Sequence, residues 1–192
     1  MAIPHIPCLR FGDPYVSLNK IEVNDYRDGT PKATVSQVNA GVVRRDLHRI
    51  DEARAALRKF TTAELIEIGA KAGEIFLNGK VQIGVEGEMQ SPQEYIETLS
   101  STSGLPHVMV KRNMDKIHYA LTNMQIVLNG LTRGIDLSIL DAGLGEQFGT
   151  QVCFYPTSKA LGLVMPSNSP AVNSLWLPAI ALKTPIVMKP GR

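Results

Sequence analysis

The segment from Leu161 to Arg192 limits the possible folds of this 192-residue chain more than any other part of it. Leu161–Met165 and Pro185–Met188 are short apolar runs typical of buried strands, and Asn173–Leu182 between them is typical of a helix. A strand, a helix and a second strand in this order form the unit of a parallel sheet. Such a sheet needs helices on both faces and more than two strands. The sequence therefore predicts an α/β fold, and it stops where the parallel sheet is only beginning.

The residues before this unit fall into stretches of different character. Residues 1–14 are rich in proline and are expected to form an irregular arm. Residues 15–40 contain two strand-like runs on either side of Asp28-Gly29, a pair that favours a tight turn, so they predict a β-hairpin. Residues 41–192 combine a helical segment with the first strand–helix–strand unit of an incomplete parallel sheet.

The helical segment has clear local signals. Arg44–Phe60 carries apolar residues at helical spacing and predicts one helix. Thr61–Glu64 and Ser91–Glu94 are capping boxes, which mark the starts of two more helices. A long apolar stripe from Val110 to Leu131 predicts a further helix. Because sustained heptads are few and flanking charges are sparse, we interpret this stripe as core packing and not as a coiled-coil face.

Composition and charge exclude several classes of partner. The chain is 44% hydrophobic and 20% charged, as globular proteins are, and a net charge of +2 gives no basis for a nucleic-acid or membrane partner. No apolar run approaches the roughly 20 residues of a membrane span, and no signal peptide is predicted. Cys8 and Cys153 are too few for a disulfide scaffold and lack metal-ligand spacing, so no metal is expected and a reducing, cytoplasmic setting is predicted.

The loop Met165–Pro170 is the most informative candidate for a binding site. It follows a predicted parallel strand, and open α/β sheets bind ligands at the carboxyl ends of their strands. Asn168 in this loop could donate its side-chain amide to a developing oxyanion, or it could cap the following helix. Lys189 follows the next strand at the same edge, where it could contact a nucleotide or be simply solvated. The residues alone leave both pairs of alternatives open.

These motifs resemble those of the aldehyde dehydrogenase superfamily. Pro166-Ser167-Asn168-Ser169-Pro170 is similar to the family's P-W-N-F-P, with Ser in place of Trp and of Phe. Trp176 lies six residues beyond Pro170, as the family Trp does, and Lys189-Pro190 matches the start of K-P-S-E. The turn before the last strand is two residues shorter than in the family and lacks its Gly-Asn. Upstream, Ser103-Gly104-Leu105-Pro106 resembles the family's E-T-G-K-P region.

The resemblance implies a Rossmann-like domain that binds NAD or NADP. Asn168 would donate its amide to the oxyanion of a thiohemiacetal, and Lys189 would bind the adenosine ribose. The backbone from Met165 to Ser167 would line the cofactor. The family's Glu that holds the ribose hydroxyls aligns with Arg192, and a base in place of an acid leaves NAD and NADP both open.

The implied activity is the NAD(P)-dependent oxidation of a small aldehyde through a cysteine thioester. The family's nucleophilic Cys and general-base Glu lie beyond the oxyanion Asn, and neither Cys8 nor Cys153 corresponds to that Cys. The chain is therefore expected to be the N-terminal portion of such an enzyme and to be inactive alone, with a homo-oligomer expected for the full-length protein.

Two alternatives to this function remain. Leu182-Lys183-Thr184 and the ending Pro190-Gly191-Arg192 resemble the CoA-acylating branch of the family, which interconverts acyl-CoA and aldehyde. A non-catalytic, truncated binding or assembly module is the alternative from another class.

Overall fold

The computed structural model describes residues 3–85 and 87–191. They form two compact units. The first unit contains the residues up to His48 together with Ile75–Asp115, and the second contains Arg49–Glu74 together with Lys116–Gly191. Arg192, for which the resemblance implies a cofactor contact, lies outside the described residues.

Strands and helices alternate in short elements along the chain. The strands are β1 (His5–Ile6), β2 (Cys8–Arg10), β3 (Asp13–Tyr15), β4 (Lys20–Asn24), β5 (Pro31–Ser36), β6 (Val81–Ile83), β7 (Glu88–Gln90), β8 (Leu144–Gln147), β9 (Thr150–Cys153), β10 (Leu161–Val164) and β11 (Ile186–Lys189). The α-helices are α1 (Ala40–Leu47), α2 (Ile50–Leu57), α3 (Thr62–Asn78), α4 (Pro92–Ser103), α5 (His107–Thr122), α6 (Met124–Thr132), α7 (Ile139–Ala142) and α8 (Leu177–Ala181), and a 3₁₀ helix covers Pro170–Leu175. None of the helices in the described residues is long and apolar enough to cross a membrane.

The first unit is built on a three-stranded sheet in the order β1-β5-β4. Strands β4 and β5 form the antiparallel hairpin that the sequence predicts, and Gly29 in its turn has a φ of +76°. Strand β1 adds to β5 in parallel, with His5 opposite Thr34. Residues 1–14, predicted to be irregular, thus contain the short strands β1 and β2 and the start of β3. Strand β1 forms through its distant partner β5, and β2 pairs with β3 across Phe11-Gly12. Runs of two or three residues are too short to show the alternation that predicts a strand.

The core of the first unit lies between α4 and α5. Ile96, Val110 and Met114 are buried there, and the rings of Phe76 and Tyr95 meet edge to face beside them with centroids 5.7 Å apart. The predicted capping box starts α4 as expected: the Ser91 hydroxyl accepts from the backbone of Glu94, whose carboxylate accepts in return from the backbone of Ser91.

Two of the predicted helices are each divided in the structure. The helix expected over Arg44–Phe60 is α1 and α2, with a break at His48-Arg49, and the long apolar stripe is shared by α5 and α6, with a break at Asn123. Asn123 leaves the helical conformation, and its side-chain amide donates to the Tyr119 carbonyl at 3.0 Å. Side chains of this type compete with the backbone for hydrogen bonds. The apolar spacing continues across both breaks, and periodicity alone therefore predicts continuous helices.

The second unit contains the parallel pair β10 and β11, joined by the 3₁₀ helix and α8. Its buried apolar side chains come mainly from α6, α7 and α8 and include Met124, Leu128, Ile139, Leu177, Ala179 and Ala181. The predicted helix over Asn173–Leu182 is split between the 3₁₀ helix and α8. The expected Rossmann-like sheet is present in the described residues as this parallel pair alone.

Candidate functional site

The candidate site is the edge at which β10 and β11 both end. The two strands pair in parallel register, with Val164 opposite Lys189. The backbone N–H of Met165, the first residue after β10, donates to the carbonyl of Lys189 at 2.9 Å. The loop after β10 therefore begins beside the last residue of β11, at the same edge of the strand pair. This is the edge at which open α/β sheets bind ligands.

The loop after β10 presents Pro166, Ser167 and Asn168 to solvent, while Met165 is half-buried. The following 3₁₀ helix is capped by Ser169, whose hydroxyl accepts from the backbone N–H of Ala171 at 3.3 Å. The side chain of Asn168 forms no hydrogen bond within residues 3–85 and 87–191. Ser169, and not Asn168, therefore caps this helix. The exposed amide of Asn168 donates neither of its N–H groups to another residue of the described chain.

Lys189 ends β11 with its side chain exposed. Its ammonium donates to the carbonyl of Pro190 at 3.1 Å, which keeps the positive charge close to the strand end. No carboxylate of the described residues forms an ion pair with it. A cation in this position is available to an anionic or hydroxyl-bearing ligand at the edge.

Gly191 brings the segment after β11 against the loop after β10. A Cβ placed on Gly191 would collide with the carbonyl oxygen of Pro166 and would crowd Ser167. Only glycine allows the two backbones to approach this closely. The sequence gives no signal for this contact, because it depends on how the two strands are placed side by side.

A short chain of hydrogen bonds holds the 3₁₀ helix that follows the loop. The Trp176 indole N–H donates to Oδ1 of Asn173 at 3.1 Å, and the Asn173 amide donates to the carbonyl of Pro170 at 2.9 Å. Pro170 closes the loop that carries Asn168, so these bonds fix one end of it. The sequence resemblance indicates Trp176 but not its partner Asn173. The signal available for Asn173 was its position three residues before the Trp, from which a side-chain amide can reach the indole.

The two cysteines have different surroundings. The Cys8 thiol donates to the carbonyl of Ser36 at 3.2 Å, and burial raises its pKa, so it stays a neutral, structural thiol. Cys153 ends β9 and is exposed. Among residues 3–85 and 87–191, no group of His, Cys, Asp and Glu side chains is placed to hold a metal ion.

No protein-family description matches the sequence, and no curated protein matches it either. Solved structures do match, and several of them are aldehyde dehydrogenases. A salicylaldehyde dehydrogenase from Pseudomonas putida superposes with a TM-score of 0.70 at 9% identity, over 100% of this chain and 36% of its own. A betaine aldehyde dehydrogenase from Staphylococcus aureus in complex with NAD+ gives 0.64 at 16% identity, over 98% of this chain and 35% of its own.

A third similar structure, a 3,6-anhydro-L-galactose dehydrogenase in complex with NAP, gives a TM-score of 0.64 at 13% identity over 97% of this chain. The chain thus has the aldehyde dehydrogenase fold over its whole length while it spans about a third of these structures, 36% in the last case. The resemblance expected from the sequence is confirmed at the level of the fold, and the span is consistent with the expected N-terminal portion.

Proposed function

We propose that the chain is the N-terminal portion of an aldehyde dehydrogenase-like oxidoreductase that uses NAD or NADP. The nucleophile of this enzyme is a cysteine outside the 192 residues. The observation that supports the proposal most directly is the exposed, unbonded amide of Asn168 at the carboxyl edge of a parallel pair of strands.

In the proposed mechanism, Asn168 donates a side-chain N–H to the oxygen of the substrate carbonyl as the cysteine sulfur adds to its carbon. Negative charge grows on this oxygen during the addition. A donor that is already in place costs no reorganisation at that moment and is worth about 3 kcal/mol in the transition state. The Ser169 cap and the bonds through Asn173 hold the end of the loop that carries Asn168, which supports this role.

In this proposal the backbone from Met165 to Ser167 lines the dinucleotide cofactor and Lys189 supplies a positive charge. The close approach of Gly191 to Pro166, with no side chain between them, supports it. NAD(P), when bound, supplies the hydride acceptor for the oxidation. In this proposal Lys189 binds the adenosine ribose, and Arg192, three residues further along the sequence, is a second residue that contacts the cofactor.

The substrate we propose is a small aldehyde. The motif Leu182-Lys183-Thr184, which resembles the CoA-acylating branch, precedes β11 and so lies at the opposite end of the strand from Lys189. Lys183 there is engaged by Asp141, with Nζ 2.5 Å from Oδ1. The motif therefore has a structural use, and it does not favour acyl-CoA at the candidate site.

The test begins with the reading frame beyond the codon for Arg192 and uses the complete product in an assay of aldehyde-dependent NAD(P) reduction. Asn168→Ala should lower kcat about 100-fold with an unchanged KM for the cofactor, since an oxyanion donor acts only in the transition state. Asn24→Ala is the matched control, because it removes an exposed asparagine amide in β4, outside the candidate site, and should leave kcat within about threefold.

The 192-residue chain alone should give no reduction, since it lacks the nucleophile. Turnover by this chain, a stop codon directly after Arg192, or an unchanged kcat in Asn168→Ala would each contradict the proposal.

A further inference from the structure

The second unit contains a cleft of about 920 Å³ that is separate from the candidate site. Its walls come from α2, from the stretch that follows β9 and from the turn that precedes β11. The cleft thus lies toward the amino ends of β10 and β11, whereas Asn168 and Lys189 lie at their carboxyl ends. A volume of this size is that of a small-molecule pocket.

Two arginines of α2 and its end, Arg54 and Arg58, line one wall of this cleft. They are four residues apart, so they share one face of the helix. Two like charges at this spacing repel each other, and an anion bound between them would relieve that repulsion. Neither guanidinium forms an ion pair within residues 3–85 and 87–191.

The carboxylates of α2 are already engaged by other cations. Asp51 accepts from the ammonium of Lys159 at 2.7 Å, and Glu52 accepts from the guanidinium of Arg49 at 2.7 Å. Asp51 is near enough for its pKa to be lowered, first by Lys159 and to a smaller extent by the charge of Arg54. Its hydrogen bond nevertheless goes to Lys159, and α2 keeps two cations without a bonded partner.

The carboxylate that does line the cleft is neutralised. Asp141 receives the Lys183 ammonium at 2.5 Å and both the backbone N–H and the hydroxyl of Thr62 at 2.9 Å each. Lys183 and Asp141 cancel, so the charge of the lining residues is set by Arg54 and Arg58.

The other wall combines polar and apolar surface. Tyr155 and Thr157 supply hydroxyl groups, and neither makes a hydrogen bond within the described part of the chain. Phe154 and Leu140 supply apolar surface beside them. A pocket with paired guanidinium groups on one side and hydroxyl and aromatic groups on the other suits a small molecule that carries a phosphate on an apolar body.

We propose that this cleft binds a phosphate-bearing small molecule, with the phosphate held between Arg54 and Arg58 and the rest of the ligand against Phe154 and Tyr155. The guanidinium fork matches two phosphate oxygens at once, which a single ammonium does not. The site is independent of the proposed dehydrogenase chemistry, because it uses none of the residues at the carboxyl edge.

The probe is sodium pyrophosphate, added at constant ionic strength to the ¹⁵N-labelled 192-residue chain and followed by NMR. We expect saturable shifts of the amides of Thr157, Ser158 and Thr184, which line the cleft. Arg54→Gln/Arg58→Gln should raise the apparent Kd at least tenfold. Arg45→Gln is the matched control, because Arg45 is an exposed helical arginine outside the cleft, and it should leave Kd unchanged.

Two further variants keep the result decisive. Arg54→Lys/Arg58→Lys retains the charge and loses the fork, so it should weaken binding several-fold even if the glutamine variant fails to fold. Lys189→Gln should not affect the shifts in the cleft. Absence of saturable shifts, equal binding by the lysine and native chains, or shifts centred on residues 165–169 and lost in Lys189→Gln would overturn the proposal, the last by assigning the phosphate to the candidate cofactor site.

Discussion

Replacing Asp141 with alanine is expected to destabilise the second unit by more than any surface charge change. Asp141 lies in α7, and its carboxylate joins the start of α3 to the turn before β11 through Thr62 and Lys183. The side chain of Lys183 is 11% exposed and that of Asp141 is 30% exposed. The substitution leaves the ammonium of Lys183 nearly buried and without its partner, and it removes the acceptor of the Thr62 N–H.

The expected loss follows from this burial. Breaking a buried ion pair by removing one partner costs about 3–5 kcal/mol, and an exposed pair is worth about 0–1 kcal/mol. Since water reaches Asp141 and can partly solvate what remains, we expect a loss of about 2 kcal/mol, between these limits. Asp141→Ala/Lys183→Met removes both charges and should cost less than Asp141→Ala alone, because no unpaired ammonium is left.

Urea unfolding followed by the fluorescence of Trp176, the single tryptophan, measures this loss in the unit that contains both residues. With a slope of about 2 kcal/mol per molar urea, the midpoint should fall by about 1 M. Glu67→Ala is the control, because the Glu67–Lys71 pair is exposed on both sides and its loss should change stability by less than about 0.5 kcal/mol. If Asp141→Ala shifts the midpoint no more than Glu67→Ala does, the burial argument is refuted.

The lowered pKa of Asp141 also predicts how the stability contribution of this residue depends on pH. Burial acts to raise this pKa, but the hydrogen bonds from Lys183 and Thr62 outweigh it, so the net pKa lies below the usual value. A group with a lowered pKa in the folded state contributes stability above its unfolded pKa and loses that contribution as the pH falls through the folded one. The difference between the native chain and Asp141→Ala should therefore be full at pH 7 and shrink below about pH 4.

Two other predictions follow from close contacts. Gly191→Ala should weaken NAD(P) binding about tenfold in calorimetric titrations of the complete product, because the new Cβ would push the Pro166 carbonyl and its loop away. Gly162→Ala is the control and should leave binding unchanged, because its Cβ meets nothing; equal affinities of the two variants would contradict the role given to the Gly191–Pro166 contact. The nearly buried carboxylate of Asp25 has a pKa held well below its usual range by hydrogen bonds from Arg27, so the hairpin should be most stable above the unfolded pKa of about 4 and weaken as the pH falls below it. Asp25→Asn should remove that part of the pH dependence of the melting temperature, and a melting temperature that still falls equally at low pH would refute this prediction.

The parts of the fold that the sequence predicts correctly have short-range causes. The capping box Ser91–Glu94 and the Asp28-Gly29 turn each act within about four residues, so their signals lie within one window of sequence. The break at Asn123 is different, because the apolar stripe continues across it and only the side-chain bond to Tyr119 reveals the end of the helix. Strand β1 depends on β5, which lies far along the chain, and β2 and β3, which pair with each other across Phe11-Gly12, are too short to give a periodic signal.

In the candidate site, too, the features with a local sequence signal were predicted and those that arise from packing were not. The loop, Asn168 and Lys189 were found from the order of a strand, a proline-bracketed turn, a helix and a second strand, and the parallel pairing places them at one edge. The fit of Gly191 against Pro166 and the pairing of Lys183 with Asp141 are properties of three-dimensional packing. The cleft with Arg54 and Arg58 was not predicted either, because α2 and the stretch after β9 are about a hundred residues apart in sequence, as the Asp51–Lys159 separation of 108 shows.

Ser169 is the residue that makes the assignment of Asn168 specific. A single polar residue before the 3₁₀ helix would be needed as its cap, and its amide would then be unavailable to a substrate. Here the cap is one residue later, so the chain has two adjacent polar side chains with separate tasks. Ser169 stands where the resembled motif has Phe, and an aromatic ring there could not accept from the Ala171 N–H. The oxyanion proposal for Asn168 therefore depends on Ser169 as well: Ser169→Phe would restore the residue of the resembled motif but would remove the cap.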